Sequence, residues 1–302
     1  MRALRPLRGG GGGGGAVSLR CRGRHRGGRD DFAEDFGQVF VVLAGGHPEG
    51  ADDVQAEGDV GFVEVIPGGF LGAGGAGEVG WTIGEAEDYR PCWRKEWGTR
   101  KKLTAAAPAW LGAENPAWQG NYRVKYWHAE WQRLILAAVD DVMARGFDGV
   151  YLDIVDGFET FEQKGKDFID DRVNPETKQS YRRDMVDWVK TIAARARAKQ
   201  AAALVIPQNG SQLLAHADFL AAASALGIED LFTNGNKLQP PSHTNEVLGH
   251  LKKMADAKKP VLLIEYPKDA QRRALSQQQA AENGFVWLVT DRQLKTLGES
   301  GR

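Results

Sequence analysis

From residue 146 onward the chain repeats one theme: a short apolar run, a carboxylate or amide at its end, then a helical period. GFDGVYLDIVDGFE (146–159) states it first. Val150, Tyr151 and Leu152 read as a strand built for burial, and Asp153 closes it. Burying an unpaired charge is costly, so such a carboxylate is either an ion-pair partner or part of a reaction centre. The theme recurs in ALVIPQN (203–209), GIEDLF (227–232), PVLLIEY (260–266) and GFVWLV (284–289), and VGWTIGE (79–85) precedes it in the same style. Between the runs lie helical stretches. One covers 129–145, with Trp131, Leu134, Ile135, Ala138, Val139 and Val142 on one stripe. A second runs from Asn174 and Pro175, as N-cap and first turn, to Lys199. Others cover 211–225, 244–257 and 270–282, the last stopped by Asn283 and Gly284.

Strands that are apolar throughout are buried on both faces, which is the habit of parallel sheets flanked by helices. Six such strands lie from residue 79 onward. Two more, QVFVVLAG (38–45) and DVGFVEVIPG (59–68), would make eight. Eight strand–helix units in about 300 residues predict a (β/α)8 TIM barrel with an irregular N-terminal quarter. A doubly wound sheet is the competitor, but no GxGxxG follows a strand here.

The first 80 residues differ in character. They hold 23 of the 38 glycines and no Lys, Trp, Tyr, Thr or Asn. We expect a disordered Gly/Arg-rich leader over 1–35, degenerate or mistranslated first barrel units over 36–78, and a barrel domain over 79–302. Residues 1–29 carry eight arginines and no acid. Setting them apart from the 39 basic residues leaves 31 against 40 acidic ones, a balance of −9 for the rest. An acidic body argues against nucleic acid as a partner and suits a cationic ligand. No window approaches a membrane-spanning length of apolar residues. Cys21 and Cys92 define neither a disulfide framework nor a zinc pattern, and the six histidines lack metal spacing, so no metal or organic cofactor is expected.

In a parallel barrel all strand ends meet at one face, where active sites are built. Here those ends are polar: Glu85, Asp153, Gln208 with Asn209, Glu229 with Asp230, and Glu265 with Tyr266. Alternation puts Tyr151 and Asp153 on one side of their strand, aimed at the barrel mouth if Val150 and Leu152 face the helices. Sequence alone does not set the phase of Glu229 against Asp230, and Glu265 is a rival acid. Asp156 could contact substrate or cap the next turn, and Gln208 and Asn209 could serve only loop backbone. A ring of carboxylates with amides and aromatics suits sugar chemistry, since glycoside hydrolysis needs one ionised and one protonated carboxyl. Seven of the nine tryptophans (81, 93, 97, 110, 118, 127, 131) fall in the stretch that runs from the first regular strand to the start of the first helix. Most are expected to pack in the core, with some free to stack on sugar.

At this point a resemblance becomes specific. GEAEDYRPCW (84–93), WLGAENPAWQGNYRVKYWHAEWQ (110–132), GFDGVYLDIVD (146–156), VIPQNG (205–210), GIEDLF (227–232) and VLLIEY (261–266) are similar, in order, to the blocks of glycoside hydrolase family 114. That family resembles secreted endo-α-1,4-polygalactosaminidases. The resemblance implies an extracellular, cofactor-free and monomeric barrel enzyme that cuts galactosamine-containing polysaccharide. It implies Asp153 and Glu229 as the catalytic pair. Glu85, Trp127, Asp156, Gln208, Asn209, Glu265 and Tyr266 would line the cleft. Asp153 is expected to be the ionised nucleophile or stabiliser. Glu229, between Ile228 and Leu231, is expected to be the general acid/base. Two alternatives stay open: a barrel that binds amino-sugar polymer without cutting it, and a hydrolase of another glycoside.

Overall fold

The computed structural model describes residues 2–4, 38–44, 60–67, 82–88, 93–99, 102–144, 147–292 and 298–301. The longer strands are β1 (Arg2–Leu4), β2 (Gln38–Ala44), β3 (Val60–Pro67), β4 (Glu85–Glu87), β5 (Leu111–Glu114), β6 (Asn121–Val124), β7 (Gly149–Leu152), β8 (Leu204–Pro207), β9 (Leu226–Glu229), β10 (Val261–Glu265), β11 (Val286–Val289) and β12 (Glu299–Gly301). The helices are α1 (Ala129–Ala144), α2 (Glu159–Glu162), α3 (Tyr181–Lys199), α4 (Ala217–Ala222), α5 (Pro241–Asp256) and α6 (Ala270–Glu282). Among the described residues no helix is long and apolar enough to cross a membrane.

The organising feature is a wall of parallel strands in chain order. β7 pairs β8, and a bridge from Gln208 to Gly227 carries the wall to β9. β9 then pairs β10, and β10 pairs β11, all parallel. A parallel bridge between Thr82 and Asp153 adds the segment before β4 at the other side. Spatial order following chain order is a singly wound α/β arrangement, without the reversal of a doubly wound sheet.

Both faces of the wall are buried, as the continuous apolar runs require. Val150, Leu152, Val205, Leu226, Ile228, Val261 and Leu263 join the large core shared with the helices. Their alternates Tyr151, Ile206, Ala225, Leu262, Ile264, Tyr266, Val286 and Leu288 form a second core on the opposite face. This period-2 split sorts each strand residue between helix side and inner side. α1 lays Trp131, Ile135, Val139 and Val142 into the large core, as its stripe predicts.

Several expectations are corrected. β2 and β3 pair antiparallel with each other, so the two N-terminal strands do not continue the parallel wall. Parallel partners need a crossover, usually a helix, and residues 45–59 have no helical period. The rest of the leader and of the segment 36–78 lies outside the described residues. β1 pairs antiparallel with β7. Of the expected strand 79–85, residues 79–81 lie outside the described residues, and Thr82 makes the parallel bridge to Asp153. Glu85 instead opens β4, antiparallel to β6. Helix α3 starts at Tyr181, with the Ser180 Oγ accepting from the Arg183 N–H at 3.1 Å. Asn174 and Pro175 form a turn before it: Asn174 Oδ1 accepts from the Glu176 N–H at 3.0 Å, and its Nδ2 donates to Asp184 at 2.7 Å. The stretch 211–225 divides into a 3-10 turn, Ser211–Ala215, and the short α4. Gly284, at φ +69°, ends α6 as expected.

Candidate active site

Asp153 follows β7 directly, and the chain turns sharply behind it. Ile154 has φ 54°, a left-handed conformation that a β-branched side chain adopts at a cost on the order of 1–3 kcal/mol. In return its N–H donates to Asp153 Oδ1 at 2.9 Å. The turn is pressed against Gly84, where a Cβ would stand 2.3 Å from the Ile154 carbonyl oxygen. The glycine therefore lets the strand leading to Glu85 approach Asp153. Asp156 sits in the 3-10 turn that follows, Val155–Phe158.

The phase of Glu229 is set by a residue without a side chain. A Cβ on Gly227 would stand 1.9 Å from the Tyr151 hydroxyl oxygen and 2.2 Å from Gln208 Oε1. Tyr151 therefore lies over Gly227, its hydroxyl donating to Gln208. Gly227 faces inward, and Glu229, two residues on, faces the same way. Asn209 fastens this end of β9: its Nδ2 donates to Glu229 Oε1 at 3.3 Å and its Oδ1 accepts from the Glu229 N–H at 3.2 Å. The Tyr266 hydroxyl donates to Glu229 Oε2 at 2.7 Å. Burial raises the Glu229 carboxyl above its ordinary 4.5, the Tyr266 hydrogen bond opposes this, and the Asp153 and Asp230 charges add to the rise.

Asp153 is the common neighbour of the acidic groups. Besides Glu229, its charge raises Asp156 and Glu85. Asp156 is held well above the ordinary carboxylate range, by burial first and then by Glu159, Asp153, Glu229 and Glu85. Glu85 is raised mainly by burial. The sequence-derived residues Asp153, Asp156, Glu85, Asn209, Glu229 and Tyr266 thus share one neighbourhood, with Gln208 beneath it under the Tyr151 hydroxyl.

Two others stand apart. Glu265 is fully buried on the helix side of β10, out of phase with Ile264 and Tyr266. It accepts from the Phe232 N–H at 2.7 Å, the Thr233 N–H at 3.1 Å and the Thr233 hydroxyl, so it anchors the loop after β9. Burial pushes its carboxyl up to about 7. Trp127 belongs to a cluster with Tyr126, Phe161 and Tyr181, and its indole N–H donates to Glu176 at 2.9 Å.

Arg292 is not among the residues that strand ends nominate. Its Nη2 donates to Asp230 Oδ1 and Oδ2 at 2.7 and 2.9 Å, and its guanidinium lies 4.5 Å from the Tyr266 ring centroid. It backs the tyrosine that holds Glu229. It nonetheless lies just past the C-terminal end of β11, as the other site residues do on their strands. Among the described residues no group of three or more His, Cys, Asp or Glu is arranged to hold a metal ion. What the arrangement offers is a carboxyl with a raised pKa beside a half-buried aspartate, the requirement for acid-assisted bond cleavage.

A sequence model of Glycoside-hydrolase family GH114 matches residues 81–302. An uncharacterised protein of Methanocaldococcus jannaschii is 37% identical over 195 residues, covering 63% of this chain and 52% of that one. Another, from Deinococcus radiodurans, is 33% identical over 217 residues, covering 72% and 64%. The chain therefore spans between about half and two thirds of the length of these curated relatives. Among solved structures, Aspergillus fumigatus Ega3 in complex with galactosamine matches with TM-score 0.54 and 18% identity, covering 73% of this chain and 76% of that one. The glycoside hydrolase domain of PelA from Pseudomonas aeruginosa matches with TM-score 0.52 and 19% identity, covering 73% and 79%. These two likenesses are ones of fold.

Proposed function

The chain belongs to glycoside-hydrolase family GH114, and from that premise we propose that it hydrolyses α-1,4-linked galactosamine-rich polysaccharide with Asp153 and Glu229 as its catalytic pair. The supporting observation is the setting of Glu229: an inward carboxyl, raised by burial and by the Asp153 charge, and fixed by Tyr266 and Asn209. In this reading Glu229 gives its proton to the glycosidic oxygen as the C–O bond breaks. Ionised Asp153 faces the anomeric carbon as nucleophile or as stabiliser of the developing positive charge. Water supplies the hydroxyl that ends on that carbon and the proton that returns to Glu229. Tyr266, backed by Arg292, keeps Glu229 aimed, and Glu265 holds the loop behind it. We read the parallel wall as part of a (β/α)8 barrel whose carboxylate face is the cleft. We also propose, from the family resemblance alone, that the enzyme acts outside the cell.

An amino sugar is the first ligand to consider, because the fold neighbour Ega3 was solved with galactosamine. The chemistry agrees: an ammonium group on a de-N-acetylated polymer is attracted to ionised Asp153, and its positive charge also favours the ionised forms of Asp156 and Glu85 nearby. Release of reducing ends from purified α-1,4-galactosamine polymer tests the reading. The folded protein should shorten the polymer and prefer the de-N-acetylated form to the fully acetylated one. That preference should shrink as salt is raised from low to molar concentration. No new reducing ends from either polymer would contradict the proposal, and equal rates on both at low salt would remove its electrostatic part.

A further inference from the structure

Glu85 does more than add charge to the site. It is 3% exposed, and both carboxylate oxygens are taken: Asn115 Nδ2 donates to Oε1 at 2.8 Å and Asn121 Nδ2 to Oε2 at 3.1 Å. Asn115 and Asn121 are the two ends of the loop between β5 and β6. The loop is also closed on itself. The Asn115 N–H donates to the Asn121 carbonyl at 2.7 Å, and the Trp118 and Asn121 N–H groups donate to the Asn115 and Trp118 carbonyls at 3.2 Å each. The Ala117 N–H donates to Asn115 Oδ1 at 3.0 Å, and the Gly120 N–H to Glu114 Oε1 at 2.8 Å. Gly120, at φ +86°, makes the return that a side chain would resist.

The loop carries Trp118, which is 54% exposed, whereas Trp97, Trp110, Trp131 and Trp188 are all buried. A rigid loop tied to a site carboxylate thus presents one indole to solvent. The other large apolar side chains that are exposed among the described residues are Phe168, Ile169, Val173 and Leu238. They lie on the connections that follow β7 and β9, the strands that end in Asp153 and Glu229. All therefore belong to connections leaving or adjoining the carboxylate end of the wall.

We propose that Trp118 is a stacking platform for a galactosamine unit of the polymer outside the bond being cleaved, with Glu85 as the positioning residue that fixes its loop. The inference rests on the hydrolase reading above. An indole face accepts the C–H face of a pyranose ring, and its negative π-cloud attracts the ammonium group on a de-N-acetylated unit. A rigid aromatic platform orders little on binding, so the contact is retained as affinity.

The test compares the intact protein with Trp118→Ala, Trp118→Tyr and Trp118→Leu on long polymer and on oligomers that fill only the units flanking the cleaved bond. Trp118→Ala should raise KM for long polymer about tenfold, the scale of one aromatic contact, while kcat stays within about twofold. Both constants for the short oligomers should be unchanged. Trp118→Tyr should recover most of the affinity, and Trp118→Leu, which keeps apolar area without a π-face, should not. A KM for polymer unchanged in Trp118→Ala would overturn the proposal, and so would an equal loss on short and long substrates. If the parent protein binds polymer without cutting it, the hydrolase reading fails alone, and the same series read by isothermal titration decides Trp118. If the parent binds no polymer at all, both fail.

Discussion

Asp153→Asn and Glu229→Gln should each lower turnover of galactosamine polymer at least roughly a hundredfold while leaving folding and polymer binding largely intact. Both changes keep shape and remove acid function. Asparagine at 153 can still accept the Ile154 N–H through Oδ1, so the strained turn keeps its internal bond. Glutamine at 229 can still accept from the Tyr266 hydroxyl. What it loses is the 3.3 Å bond from Asn209, since two amide NH2 groups would then face each other. That is a small structural cost beside the loss of a proton donor. Rates and polymer affinity should therefore separate: turnover collapses and binding persists. Near-full activity in Asp153→Asn would move the carboxylate role to Asp156, the next acid in the same neighbourhood.

A large stability effect is expected at Gly227. Gly227→Ala drives a methyl group to within 1.9 Å of the Tyr151 hydroxyl oxygen and 2.2 Å of Gln208 Oε1. Neither neighbour can swing aside, because Tyr151 is fully buried and Gln208 is 2% exposed. Overpacking of a closed core costs about 1–3 kcal/mol, and this site belongs at the upper end of that range. Denaturant titration should show the midpoint falling with little change in slope. The strand must shift to relieve the contact, and Glu229 is two residues away on the same face, so activity should fall as well. The double variant Gly227→Ala with Tyr151→Phe should recover part of both losses, since it removes the nearest atom. A loss below about 0.5 kcal/mol in Gly227→Ala would mean that the inner face packs differently from this account.

Much of the site was legible because strand ends are easy to see. An apolar run that finishes on a polar residue marks where the strand leaves the core, and that pattern nominates Asp153, Asn209, Glu229 and Tyr266, which the structure brings into one neighbourhood. Phase was harder. Glu229 and Asp230 are adjacent, and only the packing of Tyr151 over Gly227 decides between them. Glu265 and Tyr266 were grouped as cleft residues although neighbours on a strand must face opposite ways. Alternation along VLLIEY separates them once Tyr266 is known to point inward. Asn174–Pro175 carries a helix-start signal, yet the same residue types build turns whose side chains bond their own backbone. The helix begins at Tyr181 instead, capped by Ser180. The runs of β2 and β3 do not themselves show their direction of pairing, and the trace lies instead in residues 45–59, which lack the helical period that a parallel crossover needs. Glu85 was assigned to the cleft by its position. Its clamping by Asn115 and Asn121 depends on a loop 30 residues further along the chain, a long-range contact that no local pattern encodes.

The proposed chemistry depends most on Glu229 being a carboxyl that the neighbouring Asp153 charge and burial hold in its protonated form. Carbon-detected NMR of selectively labelled glutamate side-chain carboxyls, with Glu229→Gln to assign the signal, measures this directly. Glu229 should titrate above its ordinary 4.5, because burial and the Asp153 charge both disfavour its ionised form. Asp153→Asn removes that charge, so the Glu229 titration should move down towards 4.5 without reaching it, since burial remains the larger cause. The alkaline limb of the activity profile should lie at the raised value, where the proton donor is lost as pH rises through it. A Glu229 carboxyl that titrates at or below 4.5 in the parent protein, or that ignores Asp153→Asn, would contradict the pairing on which the proposed chemistry depends.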